Sequence, residues 1–175
     1  MGRDKRFDER RNDFWAFLKF WLLQGVLAWI LMIPAIYLFG LTDLATNTLV
    51  LAGIDIFAIG LIIETVADYQ KFTFIINKVN RGKWIESGLW KYSRHPNYFG
   101  EILVWVGVYV FTLGNLSGLP AILGIVSPLF ISLSLIFVTG LPLLEKAADK
   151  RWGSDPQYQE YKKRTSILVP WFSKN

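Results

Sequence analysis

Between Ser93 and Glu101 the chain reads Ser93-Arg94-His95-Pro96-Asn97-Tyr98-Phe99-Gly100-Glu101, which sets a guanidinium, an imidazole, an amide, a phenol and a carboxylate side by side. His95 is the only histidine of the protein, and the apolar run Ile102 to Leu113 follows at once. Proline keeps the residue before it out of the helical region and suits the first helical position, so the spacing predicts a helix that begins at Pro96. The free N–H groups of its first turn, beside Arg94 and His95, favour a phosphate or a carboxylate. Asn97 and Glu101 lie four apart and share a face, and Tyr98 adds a ring and a hydroxyl. The same residues equally suit a plain helix start at a membrane interface.

Two further groups could carry chemistry. Glu64, Asp68 and Lys71 fall on one helical stripe, as part of a site or as an interfacial ion-pair ladder. Asp55 lies inside an apolar stretch, where an ionisable group is costly and is a functional candidate by default; neutrality, or pairing with Lys19 or Gln24, is the alternative. Glu64, Asp55 and Tyr98 are the candidates for a catalytic role. Near the C-terminus, Glu145 and Asp149 are again four apart. Gly153-Ser154 breaks the helix, and Asp155-Pro156 reads as a cap and first position of another. That helix puts Tyr158 and Tyr161 on one face, with Lys162, Lys163 and Arg164 behind them. It reads either as a surface helix on the membrane or as a cover over a ligand. Val169-Pro170-Trp171-Phe172 has the character of an interfacial anchor.

The elements that must position these groups are apolar. Hydrophobic residues make up 53% of the 175, and mean hydropathy is +0.32, a balance that points to a polytopic membrane protein. Four segments approach the length of a bilayer span: Phe14 to Phe39, Thr48 to Val66, Tyr98 to Leu113, and Leu119 to Leu144 with a kink expected at Pro128. Gly114 to Gly118 forms a tight turn that makes the last two an antiparallel hairpin. Of the 19 lysines and arginines, all but Lys19 fall on one side of this arrangement. Arg3, Lys5, Arg6, Arg10 and Arg11 precede the first span, Lys71 to Arg94 lie between the second and third, and Lys146 to Lys174 follow the fourth. The positive-inside rule then predicts an all-α, multi-pass integral membrane bundle of about four helices, one domain over 1–175, with both termini and the central loop in the cytoplasm.

Several classes drop out. With no cysteine there are no disulfides, thiol nucleophiles or prenylation box, and one histidine excludes multi-histidine metal sites. Arg6 spoils the myristoylation pattern begun by Met1-Gly2, and the first apolar stretch is too long for a cleaved signal peptide. No glycine-rich nucleotide loop is present. The net charge of +5 serves topology and contact with the lipid surface rather than nucleic acid, for which no recognition motif exists.

The runs Glu64 to Phe72, Gly88 to Glu101, Arg151 to Tyr161 and Thr165 to Pro170, in that order, resemble the DUF1295 membrane proteins. That group is similar to the C-terminal domain of steroid 5-alpha-reductases and sterol reductases, and the likeness covers about 60–175. More distantly the chain resembles the isoprenylcysteine carboxyl methyltransferases, which share an Arg-His-Pro-x-Tyr-x-Gly run and bind S-adenosylmethionine. The resemblance implies an NADPH pocket between the cytoplasmic helix ends, lined by Asp68, Trp90, Arg94, His95, Asn97, Tyr98 and Glu101 and closed by Glu145, Asp149, Tyr158 and Tyr161. The leading expectation is an NADPH-dependent reductase of a carbon–carbon double bond in a steroid- or isoprenoid-like substrate. The alternatives are a methyltransferase using S-adenosylmethionine on a lipophilic acceptor, and a non-catalytic membrane protein. The steroid reductases take their substrate-side Glu and Tyr from helices ahead of the shared region, and those residues have no counterpart here.

Overall fold

The computed structural model describes residues 13–171; the expected N-terminal basic cluster from Arg3 to Arg11, Met1-Gly2, and Phe172 and Lys174 lie outside them. Helix α1 spans Phe14–Phe39, and Asp13 caps it by accepting from the N–H groups of Trp15 and Ala16 at 2.9 and 3.2 Å. Helix α2 spans Thr48–Ile76, and Asn47 accepts from Val50 N at 3.1 Å. Helix α3 spans Pro96–Leu113 and begins at the proline, as the sequence predicts. Then come α4, Gly118–Gly124, and α5, Val126–Leu133, continued by a π turn, Ser134–Val138. Helices α6, Leu141–Trp152, and α7, Pro156–Arg164, complete the described chain.

Three stretches are long and apolar enough to cross a membrane: Phe14–Phe39, Thr48–Ile76 and Gly118–Trp152. The expected third span, Tyr98 to Leu113, is not among them; it lies in α3, which has 18 residues, about 27 Å of helix, and opens on Pro96-Asn97-Tyr98. It packs closely along α2. Large apolar side chains such as Trp15 and Trp29 of α1 are 66% and 62% exposed, as a lipid-facing helix requires.

Lipid is as apolar as leucine, so helix pairing in a membrane depends on close packing and small residues. Helices α2 and α3 meet antiparallel, with glycines every seven residues on each. Gly53 faces Phe111, Gly107 faces Phe57, Gly60 faces Val104 and Gly100 faces Glu64. A Cβ on Gly60 would stand 2.7 Å from the Val104 nitrogen, and one on Gly100 2.6 Å from the Glu64 nitrogen, so the backbones touch with no side chain between. At one end of the pair Asn47 Nδ2 donates to Gly114 O, and Ala45 N donates to Asn115 Oδ1. These bonds hold the expected tight turn between α3 and α4.

The last apolar stretch is segmented by its prolines. Pro128 cannot donate to Gly124 O, and the helix breaks between Gly124 and Val126, one turn before the proline. Pro142 has the same effect on Val138, where the π turn closes with Thr139 N donating to Ser134 O at 2.8 Å. Helix α5 is tied to α1 by Ser127 Oγ, which donates to Leu31 O at 2.8 Å. The second break lets α6 leave the line of the apolar stretch and lie near the start of α3. Gly140, at the break, leaves room for the Tyr98 ring, which a Cβ would approach to 2.8 Å.

Candidate cofactor site

The loop from Asn77 to His95 is folded back on the end of α2. Leu89 N donates to Gln70 Oε1 at 2.9 Å, and the Trp90 indole donates to Ala67 O at 3.0 Å. The C-terminal segment then straps this loop. Arg94 N donates to Ser166 O at 2.8 Å, Ser93 Oγ donates to Leu168 O at 2.7 Å, and Trp171 N donates to Tyr92 O at 3.2 Å. The Tyr161 hydroxyl of α7 donates to Trp90 O at 2.9 Å, between two buried residues. Thus α7 is joined to the loop that carries Trp90 and Arg94.

Glu145 of α6 is the common partner of Arg94, His95 and Lys162. Its carboxylate lies 2.9 Å from His95 Nε2, 3.1 Å from an Arg94 nitrogen and 3.6 Å from Lys162 Nζ. Their side chains are largely enclosed, at 11% exposure for Arg94, 8% for His95 and 17% for Glu145. A carboxylate only accepts, so Nε2 carries a hydrogen towards Glu145, while Nδ1 has no partner. Arg94 also donates to Lys162 O at 3.2 Å, and Lys162 pairs with Asp149 at 2.6 Å. Burial pushes the Tyr158 hydroxyl up to about 12, with the Glu145 and Asp149 charges adding to it, and burial pushes Tyr161 higher still. Both are neutral phenols at physiological pH.

A cavity of about 220 Å³ opens against this cluster. Of the residues implied by resemblance, Trp90, Arg94, His95, Glu145, Tyr158 and Tyr161 line it. Asp149 does not line it and is linked to Glu145 through Lys162. A second group lies along the α2–α3 seam: Glu101 is close enough to Glu64 and Asp68 to feel their charge, and Tyr98 to feel Glu101 and Asp68. Asn97 belongs to the same first turn of α3. The rings of His95 and Tyr98 stack at 5.6 Å and 17° between the two groups. Asp55 joins neither; it is exposed in mid-helix and pairs with neither Lys19 nor Gln24. Lys71 departs from the expected ladder: its Nζ lies 5.1 Å from the centre of the Trp90 ring and makes no ion pair with Asp68.

Among the polar and aromatic lining residues, Lys83 and Trp84 lie outside every run picked out from the sequence, and Arg151 and Trp152 fall inside the run Arg151 to Tyr161 without a site role. The available signal was a tryptophan directly after a cation, at Lys83-Trp84 and Arg151-Trp152. Three lining side chains hold buried polar atoms without partners, Trp84 Nε1, Arg94 Nε and His95 Nδ1, and Asn97 Oδ1 is a fourth such atom nearby. Buried polar groups are normally satisfied, so a polar ligand fits this lining. No cluster able to hold a metal occurs among the described residues.

The profile of a family described as "Protein of unknown function (DUF1295)" matches residues 1–165. Methanethiol S-methyltransferase 1 of Bradyrhizobium diazoefficiens is 32% identical over 84 residues, 47% of this chain and 25% of that protein. Probable O-methyltransferase ustE of Ustilaginoidea virens is 33% identical over 73 residues, 42% of this chain and 26% of that one. The matched stretch thus spans about a quarter of the length of these curated relatives. No solved structure matches the chain significantly.

Proposed function

This membrane protein belongs to the DUF1295 family, and we propose that it is a methyltransferase that uses S-adenosylmethionine on a lipophilic acceptor. The observation that carries the reading is the enclosed Arg94–His95–Glu145 cluster at the cavity wall, with unpaired buried atoms on Arg94 and His95. The names of the two relatives favour methyl transfer over reduction. Size favours it too: a cavity of about 220 Å³ is small for a cofactor site, and S-adenosylmethionine has roughly half the heavy atoms of NADPH.

In this role Arg94 offers its free Nε–H to the amino-acid carboxylate of the cofactor, and Glu145 fixes the guanidinium. The bound group supplies an electrophilic methyl on a sulfonium, and its transfer leaves the thioether while the acceptor loses one proton. His95, held by Glu145 through Nε2, can take that proton on Nδ1. The seam of Glu64, Tyr98 and Glu101 lies beside His95 through the Tyr98 stack and is the proposed side of approach for the acceptor. The whole motif cluster is assigned to the cytoplasmic face, and the chain to one domain.

One observation favours the second reading, an NADPH-dependent reductase of an activated alkene: Lys71, Lys83, Arg94 and Arg151 give the cavity a cationic wall suited to phosphates. The test is transfer of labelled methyl from S-adenosylmethionine to a lipid extract by the purified protein. Labelled product supports methyl transfer. NADPH oxidation without any labelled product overturns it in favour of reduction.

A further inference from the structure

Three tryptophans line the cavity, and their indole N–H groups are not equivalent. Trp90 spends its own on Ala67 O at 3.0 Å, and Trp152 spends its own on Gly82 O at 2.6 Å. Both act as struts between chain segments. Trp84 Nε1 is buried and has no acceptor. An indole nitrogen is a donor only, so the group lacks an acceptor and nothing else. Within the protein such a buried donor is an unfavourable arrangement that a bound acceptor relieves.

Trp84 is also the centre of an aromatic corner. Its ring lies 5.3 Å from Tyr158 at 69° and 6.2 Å from Trp152 at 67°, and Trp152 and Tyr158 lie 5.8 Å apart. Edge-to-face rings leave flat faces turned in different directions, a setting in which a planar heterocycle can stack. Arg151 lies 4.7 Å from the Trp152 ring and adds a cation to the same corner. Together the corner offers aromatic faces and a single unused N–H donor, which matches a heterocycle with ring-nitrogen acceptors.

We infer that Trp84, Trp152 and Tyr158 form a subsite for an adenine ring, with the Trp84 N–H donating to one of its ring nitrogens. This rests on the cofactor-site reading of the cavity but not on which cofactor it takes, since S-adenosylmethionine and NADPH both carry adenine. Trp84 is then the residue that selects the base, while Arg94 and Glu145 engage the charged end of the ligand.

The test is calorimetric titration of the full chain in lipid nanodiscs with S-adenosylhomocysteine, NADP+ and AMP, for the wild type and Trp84→Phe. Phenylalanine keeps an aromatic ring but is smaller than indole, so it removes the donor together with part of the ring surface that meets Tyr158 and Trp152. A modest fall in melting midpoint is therefore expected, with the fold retained. Adenine-bearing ligands are expected to bind the variant roughly 3- to 10-fold more weakly, the range for one lost hydrogen bond. A deaza analogue of S-adenosylhomocysteine lacking the accepting nitrogen is expected to lose less affinity on Trp84→Phe than S-adenosylhomocysteine does. S-adenosylhomocysteine binding identifies one source of the adenine and NADP+ binding the other. If only NADP+ or AMP binds and the variant weakens it, the subsite stands and the methyltransferase reading falls. If S-adenosylhomocysteine binds both proteins equally, the subsite is overturned and the methyltransferase reading stands. Failure of all three ligands to bind overturns the subsite as well.

Discussion

Glu145 and His95, fifty residues apart in sequence, meet at 2.9 Å, and the contact joins the helix after the last apolar stretch to the start of α3. Arg94 and Lys162 converge on the same carboxylate at 3.1 and 3.6 Å. Removing the shared partner of buried cations leaves their charge uncompensated, which costs far more than an exposed pair is worth. Glu145→Ala is therefore expected to destabilise the protein by about 3 kcal/mol, or roughly 6–12 °C in melting midpoint for a chain of this size. Thermal unfolding in detergent checks it, and an unchanged midpoint would show the cluster to be solvated.

The glycine seam makes a second prediction with an internal control. Gly107 has the Phe57 backbone where its Cβ would lie, whereas nothing stands within 4 Å of Gly25 in α1. Gly107→Ala must push α2 and α3 apart and is expected to cost about 3 kcal/mol or more. Gly25→Ala is expected to be neutral or to stabilise by up to about 1 kcal/mol through helix propensity. Equal effects of both substitutions, measured by thermal unfolding, would mean that the close α2–α3 approach does not exist.

Tyr161→Phe removes the hydroxyl that donates to Trp90 O at 2.9 Å and leaves that buried carbonyl without this donor. A loss of about 1–2 kcal/mol in stability is expected. Because that hydroxyl is committed to Trp90, affinity for the cofactor is expected to change less than threefold. A large loss of affinity with unaltered stability would instead make Tyr161 a direct ligand contact.

The two tyrosines also set a response to alkali. In the unfolded chain both ionise near 10, whereas in the folded protein Tyr158 ionises at about 12 and Tyr161 later. A raised folded pKa gives a contribution that is complete below the unfolded value and is lost as pH rises through the folded one. Stability is therefore expected to fall between pH 10 and 12, and Tyr158→Phe to make that fall shallower. Denaturant titrations across this range check the slope, and identical profiles for both proteins would contradict the burial.

Much of this was legible in the sequence. Pro96 fixed the start of α3 because proline fixes its own torsion and restricts its neighbour, and Asp155-Pro156 marked α7 for the same reason. The segment breaks follow from Pro128 and Pro142, each acting one turn upstream. The α2–α3 seam was also written out, as glycines at 53, 60, 100 and 107, but a seven-residue spacing of small residues becomes meaningful only once the helices are paired. Side-chain direction was not legible. Lys71 was placed on a stripe with Asp68 by helical spacing, yet it turns to Trp90, which arrives from a loop that spacing cannot position. Trp84 lies between two motif runs and Trp152 inside a third, and their pairing was not legible because they meet only when the loop and α6 close on each other.

Cofactor affinity, measured by calorimetry for the wild type and Arg94→Ala with S-adenosylhomocysteine and NADPH as ligands, decides the proposed site. S-adenosylhomocysteine is expected to bind the wild type at one site and more tightly than NADPH, and Arg94→Ala is expected to weaken the binding at least tenfold. Binding of NADPH alone, or S-adenosylhomocysteine affinity untouched by Arg94→Ala, would contradict the assignment.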